Sequence, residues 1–95
     1  MFIINVWLTV NDPKDCDHVA ELLARMVEGV RKETGCERFV VYRSEAAPTR
    51  FLLNEHWQSR EFWDAHRNGR IYKEMYEPLI LPLVTREAHP CSLTA

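Results

Sequence analysis

The chain predicts a single α+β domain over residues 1–95, on the ferredoxin-like plan of one antiparallel sheet with both helices on one face. Three observations carry that prediction. The chain opens with a period-two strand, a long amphipathic helix follows it, and two more strand signals precede a broken helix and a last strand. The order is β-α-β-β-α-β.

In the opening strand, Phe2, Ile4, Val6, Leu8 and Val10 share one face, and Ile3, Asn5, Trp7 and Thr9 share the other. Apolar residues on both faces predict cover on both, whereas a two-layer sheet of this size leaves one face wet. A second copy, laid sheet against sheet, supplies the missing cover. The expected assembly is therefore a homodimeric barrel with a cavity in each subunit.

Asn11-Asp12-Pro13 predicts a turn, with Asp12 as N-cap and Pro13 at the first helical position, where its missing N–H costs nothing. Val19, Leu22, Leu23, Met26, Val27 and Val30 trace one helical face, and Asp17, Glu21, Arg25, Glu28 and Lys32 the other. Gly35 is expected to end this helix as the residue just past its C-cap. Cys36 to Glu45 contains the β-rich run Phe39-Val40-Val41-Tyr42, and Ala46 to Thr49 joins it to a strand over Arg50 to Trp57. Ser59 can cap the next helix, with Glu61 in its first turn, until Asn68-Gly69 breaks it. Ile71 to Leu81 predicts a second helical piece, periodic in Tyr72, Met75, Tyr76 and Leu79, and Leu83 to Pro90 predicts the last strand.

Composition excludes several classes. With 46% hydrophobic and 27% charged residues the chain reads as an ordinary globular domain, not a disordered one. Its net charge of −2 is scattered, with no basic stripe, so nucleic acid is not an expected partner. The apolar run Phe2–Val10 is far shorter than the ~20 residues of a membrane span, which predicts a soluble, cytoplasmic protein with no membrane partner. Cys16, Cys36 and Cys91 form no CxxC pair and suggest neither a disulfide framework nor a metal site.

Several short segments, taken together, resemble the antibiotic biosynthesis monooxygenase family of small dimeric α+β barrels. They are the opening strand with Asn5, the turn Asp12-Pro13, the segment GCERFVVYRS, Pro48 to Phe51, Glu55-His56-Trp57, Ser59-Arg60-Glu61, Ala65-His66 and Tyr72-Lys73. The likeness runs from about residue 2 to residue 88. It implies a cofactor-independent monooxygenase that oxidises a quinol, phenol or enolisable aromatic molecule with O2. Such chemistry needs a base, donors that hold the anion, and a dry aromatic pocket.

His66 is the expected base, since an imidazole near its ordinary pKa of ~6.5 can accept a phenolic proton at pH 7. Asn5 interrupts an apolar strand and, with Asn54, is expected to hold the substrate oxygen. Many family members carry tyrosine where Asn54 stands, so a tyrosine-dependent mechanism does not carry over. Trp7, Tyr42, His56, Tyr72 and Tyr76 are expected to contact substrate, while Glu55 and Trp57 point toward the helices as framework. The haem-degrading branch shares the strand asparagine but has tryptophan at the position of His66 and an axial histidine at that of Tyr76. Both departures argue against haem, and no cofactor is expected. Three further readings stay open: an isomerase that enolises its substrate with the same base and amides, a haem-binding or haem-degrading protein, since tyrosine can ligate haem iron, and a non-catalytic dimeric module holding a small aromatic ligand.

Overall fold

A computed structural model describes all 95 residues. Its four strands are β1 (Phe2–Val10), β2 (Cys36–Arg43), β3 (Arg50–Trp57) and β4 (Val84–Cys91). They form one antiparallel sheet in the order β2-β3-β1-β4. Helices α1 (Cys16–Val30) and α2 (Arg60–Arg67) and a π-helix (Tyr72–Ile80) complete the α+β ferredoxin-like fold. No helix is long and apolar enough to cross a membrane.

The core lies between the sheet and the helices. Ile4, Val6 and Leu8 of β1 and Leu53 and Trp57 of β3 are all at most 1% exposed. They meet Val19, Leu23 and Val30 of α1 and Ile80 of the π-helix. Alternation along β1 and β3 delivers this face, as period-two side chains must. At the start of α1 the Asp12 carboxylate accepts the Lys14 N–H at 3.1 Å, and a short 3₁₀ turn over Pro13–Asp15 leads into the helix.

Three local expectations need correction. Helix α1 ends at Val30, not against Gly35, and a turn bonded from Lys32 N to Gly29 O and from Glu33 N to Val30 O fills the gap. Gly35 instead closes that turn at φ +84°, where a Cβ would collide with the Phe62 ring. Ser59 stands at the N-cap of α2, but its hydroxyl accepts no N–H of that helix. The segment after Gly69 winds as a π-helix with Pro78 inside it, where an α-helical turn would press the proline ring on the carbonyl four residues back. The Leu81 N–H bonds Tyr76 O, five residues back. The wider turn puts Tyr72, Tyr76 and Ile80 toward the sheet and leaves Leu79 47% exposed, outside the face expected for it.

Candidate functional site

The register sorts the expected site residues onto two sides of the sheet. Asn5 pairs with Asn54, Trp7 with Leu52, and Ile3 with His56 across β1 and β3. Tyr42 joins them from β2 opposite Leu52. Asn5, Asn54, Trp7, His56 and Tyr42 therefore lie on the open face, away from the helices. His66, Tyr72 and Tyr76 lie on the helical face. The expected convergence of His66 with Asn5 and Asn54 on one point is thus corrected: the sheet stands between them. The cause is parity, since odd residues of β1 and even residues of β3 face outward, while α2 packs on the inner side.

On the open face the amides bond each other. Arg38 Nε donates to Asn54 Oδ1 at 2.7 Å, Asn54 Nδ2 to Asn5 Oδ1 at 2.7 Å, and Asn5 Nδ2 to Cys91 Sγ at 3.3 Å. The Cys91 thiol donates onward to His89 O, and Arg38 Nη2 reaches the Tyr42 hydroxyl at 3.0 Å. Donation runs in one direction across all four strands. Trp7 lies under the Arg50 guanidinium, 4.4 Å from its centroid, a cation–π contact.

On the helical face, α2 carries His66 into the layer between helix and sheet, where it is 7% exposed. Its Nδ1 lies 2.6 Å from Glu33 Oε1, in the turn after α1. Its ring stacks on Trp57 at 4.7 Å, and Tyr72 meets it edge-on at 5.6 Å. Tyr72 in turn packs on Tyr76 at 4.9 Å. Burial pushes the imidazole below its ordinary range, while the Glu33 carboxylate pulls it back up. Burial is the larger of the two, and it favours the neutral ring. Glu33 and His66 line a cavity of about 400 Å³ together with Lys32, Thr34, Phe62, Ala65 and Gly69.

Neighbouring groups are tuned by the same burial. The Glu55 carboxyl, 4% exposed, is raised to about 7 by desolvation, against the pull of its bond from Trp57 and the Arg86 charge. Burial also raises the Tyr76 phenol to about 12, against Arg86, and the Cys36 thiol to about 11, with Glu33 and Glu55 adding to the rise. Cys36 is thus a thiol at neutral pH, not a nucleophilic thiolate. A groove of about 430 Å³ between α1 and β2 is lined by Leu23, Val27, Val41 and Phe51 and has no buried ionisable group on its walls. The chemistry-bearing side chains gather at His66.

Glu33 is the participant that sequence reasoning missed. It sits in a turn 33 residues before His66, and no local pattern ties the two together. The only signal was a carboxylate just ahead of Gly35, close to where a chain reversal would return it toward the helical layer.

Comparison with known proteins agrees with this architecture. A solved antibiotic biosynthesis monooxygenase superposes with a TM-score of 0.91 at 21% identity, all of both chains being covered. A conserved protein of unknown function from Bacteroides thetaiotaomicron, described as a possible oxidoreductase, gives 0.88 at 21% over 97% of this chain and 96% of that one. A conserved protein from Methanosarcina mazei gives 0.82 at 23% over 96% and 92%. At these identities the likeness speaks for the fold. No curated protein matches the chain. The family model described as antibiotic biosynthesis monooxygenase matches residues 1–78, most of the chain, and the protein belongs to that family.

Proposed function

We propose that this protein is a cofactor-independent monooxygenase in which His66, oriented by Glu33, removes the proton of a quinol, phenol or enolisable aromatic substrate. The observation that carries the reading is the His66–Glu33 pair at 2.6 Å, its imidazole buried and its carboxylate part-buried, set on the wall of an open cleft and backed by Trp57. A carboxylate on Nδ1 fixes the tautomer and leaves Nε2 as the acceptor, and it stabilises the imidazolium once formed. Burial keeps the ring neutral and ready to accept.

The substrate O–H gives its proton to His66, and the resulting anion transfers one electron to O2. Recombination of the two radicals forms a C–O bond to a peroxide anion, which takes the proton back from the His66 imidazolium; loss of water, with its second hydrogen from the C–H of the same carbon, leaves a carbonyl. Lys32, on the same cavity wall, supplies positive charge for the anion. Phe62 is the aromatic side chain on that cavity wall, while Trp57 and, farther off, Tyr72 pack on the imidazole itself. Asn5 and Asn54 take no part in this step, because they lie across the sheet. Their ladder instead faces a second copy of the chain, which covers Ile3, Trp7 and Leu52 in a homodimer.

Aerobic incubation with a panel of small hydroquinones and naphthols is expected to consume oxygen. His66→Ala should slow uptake by ~100-fold or more, the usual loss on removing a general base. Full activity in that variant would remove His66 from the mechanism. Product formation without oxygen uptake would favour isomerisation by the same pair. Haem titration is expected to give no Soret shift, since the Tyr76 phenol is sealed beside Arg86 and His66 is engaged by Glu33.

A further inference from the structure

Four side chains on the helical face form one continuous line. Glu55 Oε1 accepts the Trp57 indole N–H at 3.0 Å, the indole stacks on the His66 imidazole at 4.7 Å with an interplanar angle of 28°, and His66 Nδ1 meets Glu33. Residues 55 and 57 are successive inward positions of β3, so the carboxyl and the indole are held side by side. Trp57 is fully buried, and its ring is the floor on which the imidazole lies. Packing alone does not call for a carboxyl here. A leucine or valine would fill the position beside Leu53 without the cost of burying an ionisable group.

We propose that Glu55 is a positioning residue for His66: it holds the Trp57 indole, and the indole sets the plane of the imidazole against Glu33. The proposal deepens the reading of His66 as the base and rests on it for its catalytic meaning. Its physical content stands apart from any substrate.

The charged and titratable groups around this line are few. Glu55 faces Arg86 from β4, Cys36 from β2, Glu33 from the α1–β2 turn and Tyr76 from the π-helix, while His66 faces Glu33, Arg67 and the Tyr72 ring. Desolvation places the Glu55 carboxyl at about 7. As it ionises it becomes the stronger acceptor for the indole N–H, so the grip on Trp57 tightens across the neutral range.

The test is NMR titration of the full chain labelled at histidine and tryptophan, with no substrate present. In the wild type the Trp57 indole N–H resonance should inflect near pH 7, and the His66 ring resonances should carry that inflection in addition to their own protonation. Glu55→Gln keeps the shape and the acceptor oxygen but cannot ionise, so both inflections should vanish. Glu55→Ala frees the indole and admits water, which should raise the His66 midpoint by roughly half a unit or more. Trp57→Phe keeps a ring under the imidazole without its N–H, and should lose the His66 inflection as Glu55→Gln does. His66 resonances that titrate alike in the wild type, Glu55→Gln and Trp57→Phe overturn the proposal, even if Glu55→Ala fails to fold. Oxygen uptake enters none of these readouts, so an inactive protein can pass this test and an active one can fail it.

Discussion

The two faces of the sheet hold polar groups of opposite character. On the helical face Glu55 and His66 are ionisable and almost sealed, 4% and 7% exposed. On the open face Asn5 and Asn54 are neutral, half-buried and bonded to each other. A half-buried amide keeps its bonding capacity at little cost, because water or a neighbour can complete it. A sealed ionisable group must either discharge or find a partner. Glu55 does some of each, with its carboxyl raised to about 7 and the Trp57 N–H as donor, and His66 is lowered by burial and takes Glu33 as partner. The chain accepts a folding cost on one face only, and that is the face where a proton can be moved.

The largest effect that sharpens this contrast is on stability against pH. Glu55 is raised in the folded state from 4.5 to about 7, so its contribution is complete below pH 4.5 and is lost as pH rises through 7. His66 is lowered, so its contribution is complete above 6.5 and is lost on acidification. Two opposed slopes result. Glu55→Gln removes the first, and urea unfolding should find it more stable than wild type at pH 8 by on the order of 3 kcal/mol, with little difference at pH 4.5. The acid limb from His66 should remain in the variant. A difference that is the same at both pH values would mean that the carboxyl is solvated after all.

A smaller effect tests how the helical face is built. Gly35 takes φ +84°, and its missing Cβ makes room for the Phe62 ring, which would clash with that atom. The same turn carries Glu33 to His66. Gly35→Ala should cost about 2 kcal/mol or more, combining left-handed backbone strain with overpacking. It should also disturb the His66 resonances, because Phe62 and Glu33 border the same cavity. A variant as stable as the wild type would show that the turn can relax without moving either group.

What the sequence made legible follows from the range of the interactions involved. Strand β3 was read over Arg50–Trp57, and the two faces of β1 came out correctly, because alternation is local and needs no partner. The direction of Trp57, toward the helices in search of an acceptor for its N–H, was read from the same parity and is met by Glu55. Placing His66 with Asn5 and Asn54 failed for a different reason. A polar residue type does not say which side chains meet, and two sides of one sheet cannot converge on one point. Parity gave the asparagines an outward direction, and the helix that carries His66 had already been placed on the other side. Leu79 was misjudged because a 3.6-residue period was assumed where Pro78 favours a wider winding. Glu33 offers only its place ahead of Gly35, since its partner is brought close by the whole fold.

The open face offers the gentlest test of the comparison. Asn5→Ala removes the acceptor of Asn54 and the donor to Cys91. Water can reach this half-buried site in an isolated subunit, so the expected loss is about 1 kcal/mol, that of an ordinary hydrogen bond. If a second copy covers the ladder, as proposed, the loss should depend on protein concentration, because association stabilises the folded chain by mass action. Urea midpoints measured at two concentrations a hundredfold apart should therefore shift in the wild type and shift less in Asn5→Ala. Through all of this the His66 ring resonances should stay where they are, since the β1–β3 backbone ladder separates the two sets of side chains. A His66 titration that moved with Asn5 would mean that the two faces are coupled through the sheet.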